Sequence, residues 1–251
     1  KRRALFLVLS APLWYDRTCS QKGGGLLRLS HRVLPLFLTL EAILYAAFLI
    51  WDVTIGGRGS NPIKFAGILL CLIYSLYLSH QGGSRLVSAA LTLTVLADVF
   101  LLLLDAHYAL GIVLFCLVQG LYFVRIYRSN GGRSLWGLRA ALFVLALVVL
   151  NVLDLLIPLN ILALFYFTNF FCNALSSLSC PGQEMRLFSA GLWLFLCCDG
   201  CVGLFQNPQL VPPAVSAFVS VGMWLFYLPA QVLIALSGAN RSSGGFSHET
   251  K

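Results

Sequence analysis

Charged side chains are scarce in this chain. Asp, Glu, Lys and Arg make up 10% of its 251 residues, against about 25% in soluble domains, and that shortage excludes an ordinary water-soluble fold. Histidine is scarcer still. The four present, His31, His80, His107 and His248, all fall in polar joints or tails, which argues against an intramembrane zinc hydrolase built on several imidazoles. No alternation of helix-period and strand-period segments occurs, so mixed α/β architectures are excluded as well. Cysteine is not lacking, but it is dispersed. Cys19, Cys71, Cys116, Cys172, Cys180, Cys197, Cys198 and Cys201 lie in or beside apolar runs, where cysteine behaves as a small hydrophobe. Cys198 and Cys201, three apart, have the spacing of a soft-metal or redox pair, but no second such pair exists to complete a site.

What the chain has instead is hydrophobic length: 59% of residues are apolar or aromatic. Runs of about 20 residues, each enough to cross a bilayer, cover roughly 33–54, 62–79, 84–104, 106–128, 134–155, 157–179, 185–206 and 212–237. The expected class is therefore all-α, a polytopic bundle of eight transmembrane helices spanning 33–237. The net charge of +8 does not point to nucleic acid, because its placement follows the membrane. Of the 17 Lys and Arg residues, only Arg58 and Lys64 fall on one side of an alternating eight-span layout. The others lie before the first span, in the joints at Arg85, Arg125–Arg139 and Arg186, or in the tail. Such asymmetry predicts that both termini are cytoplasmic, in a bacterial inner membrane or a eukaryotic endomembrane. Residues 1–32 form a basic N-terminal segment. Its apolar stretch Ala4–Tyr15, interrupted by Pro12, is too short to span and lacks a small-residue cleavage motif. An interfacial helix, or the remnant of a longer chain without its initiator Met, is expected there, with Gly23–Gly25 as a flexible joint. Residues 238–251 read as a polar, disordered tail, in which Asn240-Arg-Ser242 would be an inert glycosylation pattern on the cytoplasmic side.

Two acids interrupt the apolar runs: Asp98 in Val95-Leu-Ala-Asp98-Val-Phe, and Asp199 in Leu196-Cys-Cys-Asp199-Gly-Cys. An ionisable group at membrane depth costs roughly 2.5–3.5 kcal/mol on insertion scales, so residues of this kind mark function or a specific packing role. If spans 3 and 7 run in the same direction, both acids lie at about the same depth, as a shared site requires. Paired carboxylic acids in apolar surroundings suit general acid–base chemistry. Other polar residues form stripes at helical spacing. Tyr108, Gly111, Phe115, Gln119 and Tyr122 share a face of span 4, and Tyr166, Asn169, Asn173 and Ser176 share a face of span 6. Stripes like these either pack helices together or line a cavity. Lys64 opens span 2, positioned to snorkel to the interface or to meet a lipid phosphate or one of the aspartates.

These motifs together resemble the YhhN-like lysoplasmalogenase family of eight-span membrane proteins. The resemblance is carried by Ile63-Lys64, Ala97-Asp98-Val-Phe-Leu, Gly111-x3-Phe115-x3-Gln119-x2-Tyr122, Cys198-Asp199 and Tyr227-Leu-Pro-Ala230-Gln231-Val-Leu-Ile-Ala-Leu-Ser237. It covers about residues 33–237. Ala97, Cys198 and Gln119 stand where the family pattern has Gly, Ser and His. The first two exchanges are between small residues; the third removes a titratable group. The resemblance implies hydrolysis of the vinyl ether of a lysophospholipid, with Asp98 and Asp199 as the catalytic pair and no metal or organic cofactor. Lys64 is then the candidate for the lipid phosphate, while Tyr108, Gln119, Tyr122, Tyr166, Asn169, Tyr227 and Gln231 are the candidates for lining the cavity. The implied partners are the lysophospholipid substrate and membrane lipid. A reading of another class is a non-catalytic lipid transporter or sensor that uses the same polar cavity, since intramembrane acids also serve proton-coupled transport.

Overall fold

A computed structural model describes residues 23–207 and 212–239. Stretch Ala4–Tyr15 and the tail beyond Ala239, including Asn240-Arg-Ser242, lie outside the described residues. Eight α-helices are present among those described: α1 Gly23–Thr54, α2 Asn61–His80, α3 Arg85–Asp98, α4 Tyr108–Ser129, α5 Trp136–Val152, α6 Pro158–Ser177, α7 Gln183–Gln206 and α8 Pro213–Leu236. A π-helical turn, Val99–Leu103, follows α3 directly. No strand occurs among the described residues, and the all-α class holds.

Seven of these helices are long and apolar enough to cross a membrane. The eighth, α5, has 17 residues, about 25 Å of helix and the lower end of the spanning range. It is shorter than the expected 134–155 because Leu135 (φ 50°) and Asp154 (φ 56°) adopt left-handed backbone at its two ends. That geometry closes a helix rather than extending it. A second difference concerns Gly23–Gly25, which form the first turn of α1 and not a flexible joint.

The chain divides into two compact units, Lys1–Thr39 and Leu40–Lys251. The first contributes the described residues 23–39, the N-terminal part of α1. The second holds the rest of α1 and every helix from α2 to α8. Its helices are neighbours in a closed circuit: α3 packs on α4, α4 on α6, α6 on α7, α7 on α8, and α8 returns to α2 and α3. Outside the circuit, α5 lies against α6. The α7–α8 contact is close because Gly191 lacks a side chain. A Cβ there would stand 2.8 Å from Ile234 Cγ1 and 3.0 Å from the Ala230 carbonyl.

Both ends of the circuit are tied by polar contacts. At one end Arg125 of α4 donates to Ser237 Oγ (2.8 Å) and to the Ser237 carbonyl (2.5 Å), closing the C-terminus of α8. Cations favour that end of a helix dipole. At the other, Asn61 Nδ2 donates to the Leu102 carbonyl at 3.0 Å and so holds the π turn against the start of α2. Gly111 of α4 gives the same turn room, since a Cβ there would meet Leu101 Cγ at 2.5 Å. In the α3–α4 joint, Asp105 pairs with Arg58 and accepts a 2.7 Å hydrogen bond from Tyr108 Oη. The hydroxyl and the guanidinium hold its carboxyl below the usual aspartate range.

Candidate functional site

Asp98 is the last residue of α3, where the helix widens into its π turn. Turns of this kind re-aim side chains and recur at functional sites. The residue is 5% exposed, and its Oδ2 accepts a 2.6 Å hydrogen bond from Tyr227 Oη of α8. Asp199, half-buried on α7, is held in the same manner: Tyr166 Oη of α6 donates to its Oδ2 at 2.6 Å. Both distances lie at the short end for O–H···O bonds. In each carboxyl the tyrosine occupies one oxygen and leaves Oδ1 for another partner. Asp98 lies within Coulombic reach of Asp199, and the Cys198 thiol within reach of both.

An aromatic cluster joins the two pairs. Phe195, one turn before Asp199 on α7, touches the Tyr227 ring at 5.3 Å between centroids. It also touches Phe115 at 5.7 Å and Phe170 at 4.9 Å. Both of these in turn contact the Tyr166 ring, at 5.9 Å and 5.8 Å. Four helices of the circuit therefore place their rings around one centre. Gln231, one turn after Tyr227, is fully buried, and neither its Oε1 nor its Nε2 has a hydrogen-bond partner. A buried amide without partners costs roughly 1–3 kcal/mol and marks a place where a polar ligand or water is accommodated.

Family membership follows from the match of residues 61–238 to the YhhN family model. The chain belongs to the YhhN family. No curated protein and no solved structure gives a significant match. As a YhhN-type membrane protein it carries the expected aspartates on separate helices of one circuit, α3 and α7, each with a tyrosine from a further helix.

Not every residue singled out in the YhhN pattern reaches this centre. Tyr122 is buried on α4 against Phe188, with centroids 5.1 Å apart. Tyr108 is 44% exposed at the far end of the same helix and turns to Asp105. Lys64 is buried, and Asp52 matches its charge at 2.7 Å; Ser60 Oγ also donates to that carboxylate. The ammonium lies 4.4 Å from the Trp224 ring centre, and Trp224 contacts Tyr227, so Lys64 borders the Asp98 side of the site. Gln119 and Asn169 stand apart from the acids, in a polar network around Arg139.

Sequence reasoning passed over three residues. Glu41 of α1 is an acid in an apolar run, as Asp98 and Asp199 are. It is buried, with Oε1 accepting from the Cys71 thiol at 3.2 Å and Oε2 unpartnered. Asp52 was the available partner for Lys64. Arg139 read as one more basic residue of a joint, yet it is 6% exposed. Among the described residues no three His, Cys, Asp or Glu side chains gather as metal ligands.

Proposed function

We propose that this YhhN-family protein hydrolyses the vinyl ether bond of lysoplasmalogens, releasing a fatty aldehyde and a glycerophospho-headgroup. The observation that carries the reading is the pair of carboxyls on helices long and apolar enough to cross a membrane, each held by a tyrosine at 2.6 Å around one aromatic centre. A vinyl ether is cleaved by protonation at the carbon remote from oxygen, which leaves an oxocarbenium ion. Water adds to that ion, and the resulting hemiacetal collapses to aldehyde and alcohol. The reaction needs an acid for the carbon and a base for the water. In a two-carboxyl site one group is neutral and donates; the other is ionised, faces the cation and takes the proton from water. Asp98 and Asp199 fill these roles with their free Oδ1 atoms, while Tyr227 and Tyr166 fix the carboxyl planes. The rings of Phe195, Phe115 and Phe170 supply a dry, polarisable wall beside the developing cation.

A transporter would favour helices broken in corresponding halves. Among the described residues α8 continues through Pro229, and the single interruption is the π turn after Asp98. Purified protein incubated with lysoplasmalogen should release free aldehyde, whereas the ester-linked lysophospholipid should give none. Absence of aldehyde from the vinyl ether, with the protein folded, overturns the reading.

A further inference from the structure

A second polar centre lies one helical turn along α6 from Tyr166. Arg139 of α5 donates from Nε to the Ser134 carbonyl (3.1 Å), and from Nη1 to the Asn169 carbonyl (3.1 Å) and Asn169 Oδ1 (2.9 Å). Its Nη2 donates to Asn173 Oδ1 at 2.7 Å. The guanidinium also lies 5.1 Å from the Phe123 ring centre and 6.0 Å from that of Trp136. Every one of these partners is neutral. The ion pairs among the described residues are Arg58–Asp105 and Lys64–Asp52, so the Arg139 charge is buried without a counter-ion. A buried charge left unmatched is costly, and guanidinium does not shed its proton to escape the cost.

The network fixes what its other end presents. Arg can only donate, so Asn173 must turn its oxygen to Arg139 and its NH2 away. That NH2 donates to Gln119 Oε1 at 3.0 Å, which points the Gln119 NH2 away in turn. Gln119 is 2% exposed, and its Nε2 has no partner. Arg139 and Gln119 both line a cavity of about 180 Å³, together with Phe123, Trp136, Asn169 and Tyr166. The cavity thus holds an uncompensated cation and a free buried donor, and it has no carboxylate in its lining. Its volume suits a phosphate and a glycerol unit, with the chain left in the lipid. Tyr166, whose hydroxyl binds Asp199, forms part of its wall. From Tyr166 to Asn169 is three residues, about 4.5 Å along the helix, on the scale of a glycerol backbone.

From this placement we infer that Arg139 and Gln119 form the binding site for the phosphate of a lysophospholipid headgroup. The inference rests on the lysolipid reading above and moves the phosphate away from Lys64, whose charge Asp52 already matches. The contacts named above leave Arg139 one Nη2 N–H and its full charge for a phosphate oxygen, and the Gln119 amide adds a neutral donor to another oxygen. Glycerol then extends toward Tyr166 and Asp199, which brings the sn-1 oxygen to the acids.

The test uses probes that are not hydrolysed, so that it stands independently of aldehyde release. Full-length protein in nanodiscs is titrated with an alkyl-ether lysophospholipid, with the matching 1-O-alkylglycerol that lacks phosphate, and with inorganic phosphate alone. Wild type should bind the lysophospholipid at least tenfold more tightly than the alkylglycerol. Arg139→Gln should erase that preference, and Arg139→Lys should restore part of it. Gln119→Leu, which leaves the Arg139–Asn169–Asn173 contacts in place, should narrow the preference several-fold and guards against misfolding of the arginine variants. An unchanged preference in Arg139→Gln or Gln119→Leu protein of wild-type monodispersity overturns the site. So does competition by inorganic phosphate without any preference for lysophospholipid over alkylglycerol. Arg139-dependent binding in a protein that releases no aldehyde supports the site and removes the catalytic reading; aldehyde release with Arg139-independent binding does the reverse.

Discussion

Removing a single oxygen from Tyr227 separates positioning from bulk packing. Tyr227→Phe keeps the ring and its contacts with Phe195 at 5.3 Å and Trp224 at 5.6 Å, so no cavity opens. What disappears is the 2.6 Å hydrogen bond to Asp98 Oδ2. Hydrogen bonds to charged or strongly polar acceptors contribute about 1.5–3 kcal/mol, and one pointing into a buried carboxyl belongs in that range. If the tyrosine holds Asp98 in its reacting orientation, that amount appears in the barrier, a fall of about 10- to 150-fold in kcat. Tyr166→Phe should act similarly through Asp199. A double-mutant cycle gives the sharper result. Once Asp98→Asn has stopped acid–base chemistry, Tyr227→Phe has nothing left to orient, and the double variant should be scarcely slower than the Asn variant. The assay is aldehyde release under single-turnover conditions, with melting temperature as a control for folding. A Tyr227→Phe protein within twofold of the wild-type rate would refute the argument that the tyrosine–aspartate pair is the working unit.

Three other outcomes are expected. Reporter fusions after Arg133 should mark the cytoplasm and fusions near Arg58 and Asp154 the opposite face; one joint on the wrong side breaks the eight-span layout drawn from the basic residues. Gly191→Val should lower the melting temperature and activity together, because the new side chain meets Ile234 Cγ1 and the Ala230 backbone at the α7–α8 contact and overpacking costs about 1–3 kcal/mol. Lys64→Met should be strongly destabilising, on the order of 3 kcal/mol, since it strands Asp52 in a mostly buried setting. Adding Asp52→Asn should recover much of that loss in a thermal melt, a recovery not expected if Lys64 serves only as a lipid anchor.

Helices and their ends were legible because lipid imposes simple rules on sequence. Apolar length predicted 62–79 and 157–179, close to the observed Asn61–His80 and Pro158–Ser177, with Pro62 and Pro158 at the first turns where a missing N–H costs nothing. Asp98 and Asp199 stood out because unpaired acids in apolar runs are expensive. The tyrosine partners are another matter. Tyr227 meets Asp98 across 129 residues of sequence, and no local pattern says which of nine tyrosines will do so. Nor does Val99–Leu103 carry any composition that distinguishes a π turn from ordinary helix. Arg139 was hidden by its neighbours: in a stretch with Arg125, Arg128 and Arg133 it reads as a topology signal, and only the packing of α5 on α6 shows its guanidinium inserted between Asn169 and Asn173. Lys64 was positioned correctly at the opening of α2, but its partner depended on the turn from Thr54 to Asn61, whose conformation the sequence left open.

The most direct test of the central claim compares aldehyde release by wild type, Asp98→Asn and Asp199→Asn on the same lysoplasmalogen. The exchanges are nearly isosteric and remove both the donated proton and the ionised form. Wild type should release aldehyde, and each Asn variant should fall below a tenth of its rate, at least about 1.4 kcal/mol of barrier, while eluting and melting as a folded protein. An Asn variant that keeps more than a tenth of the wild-type rate would show that its aspartate is structural and that the two-carboxyl mechanism is wrong.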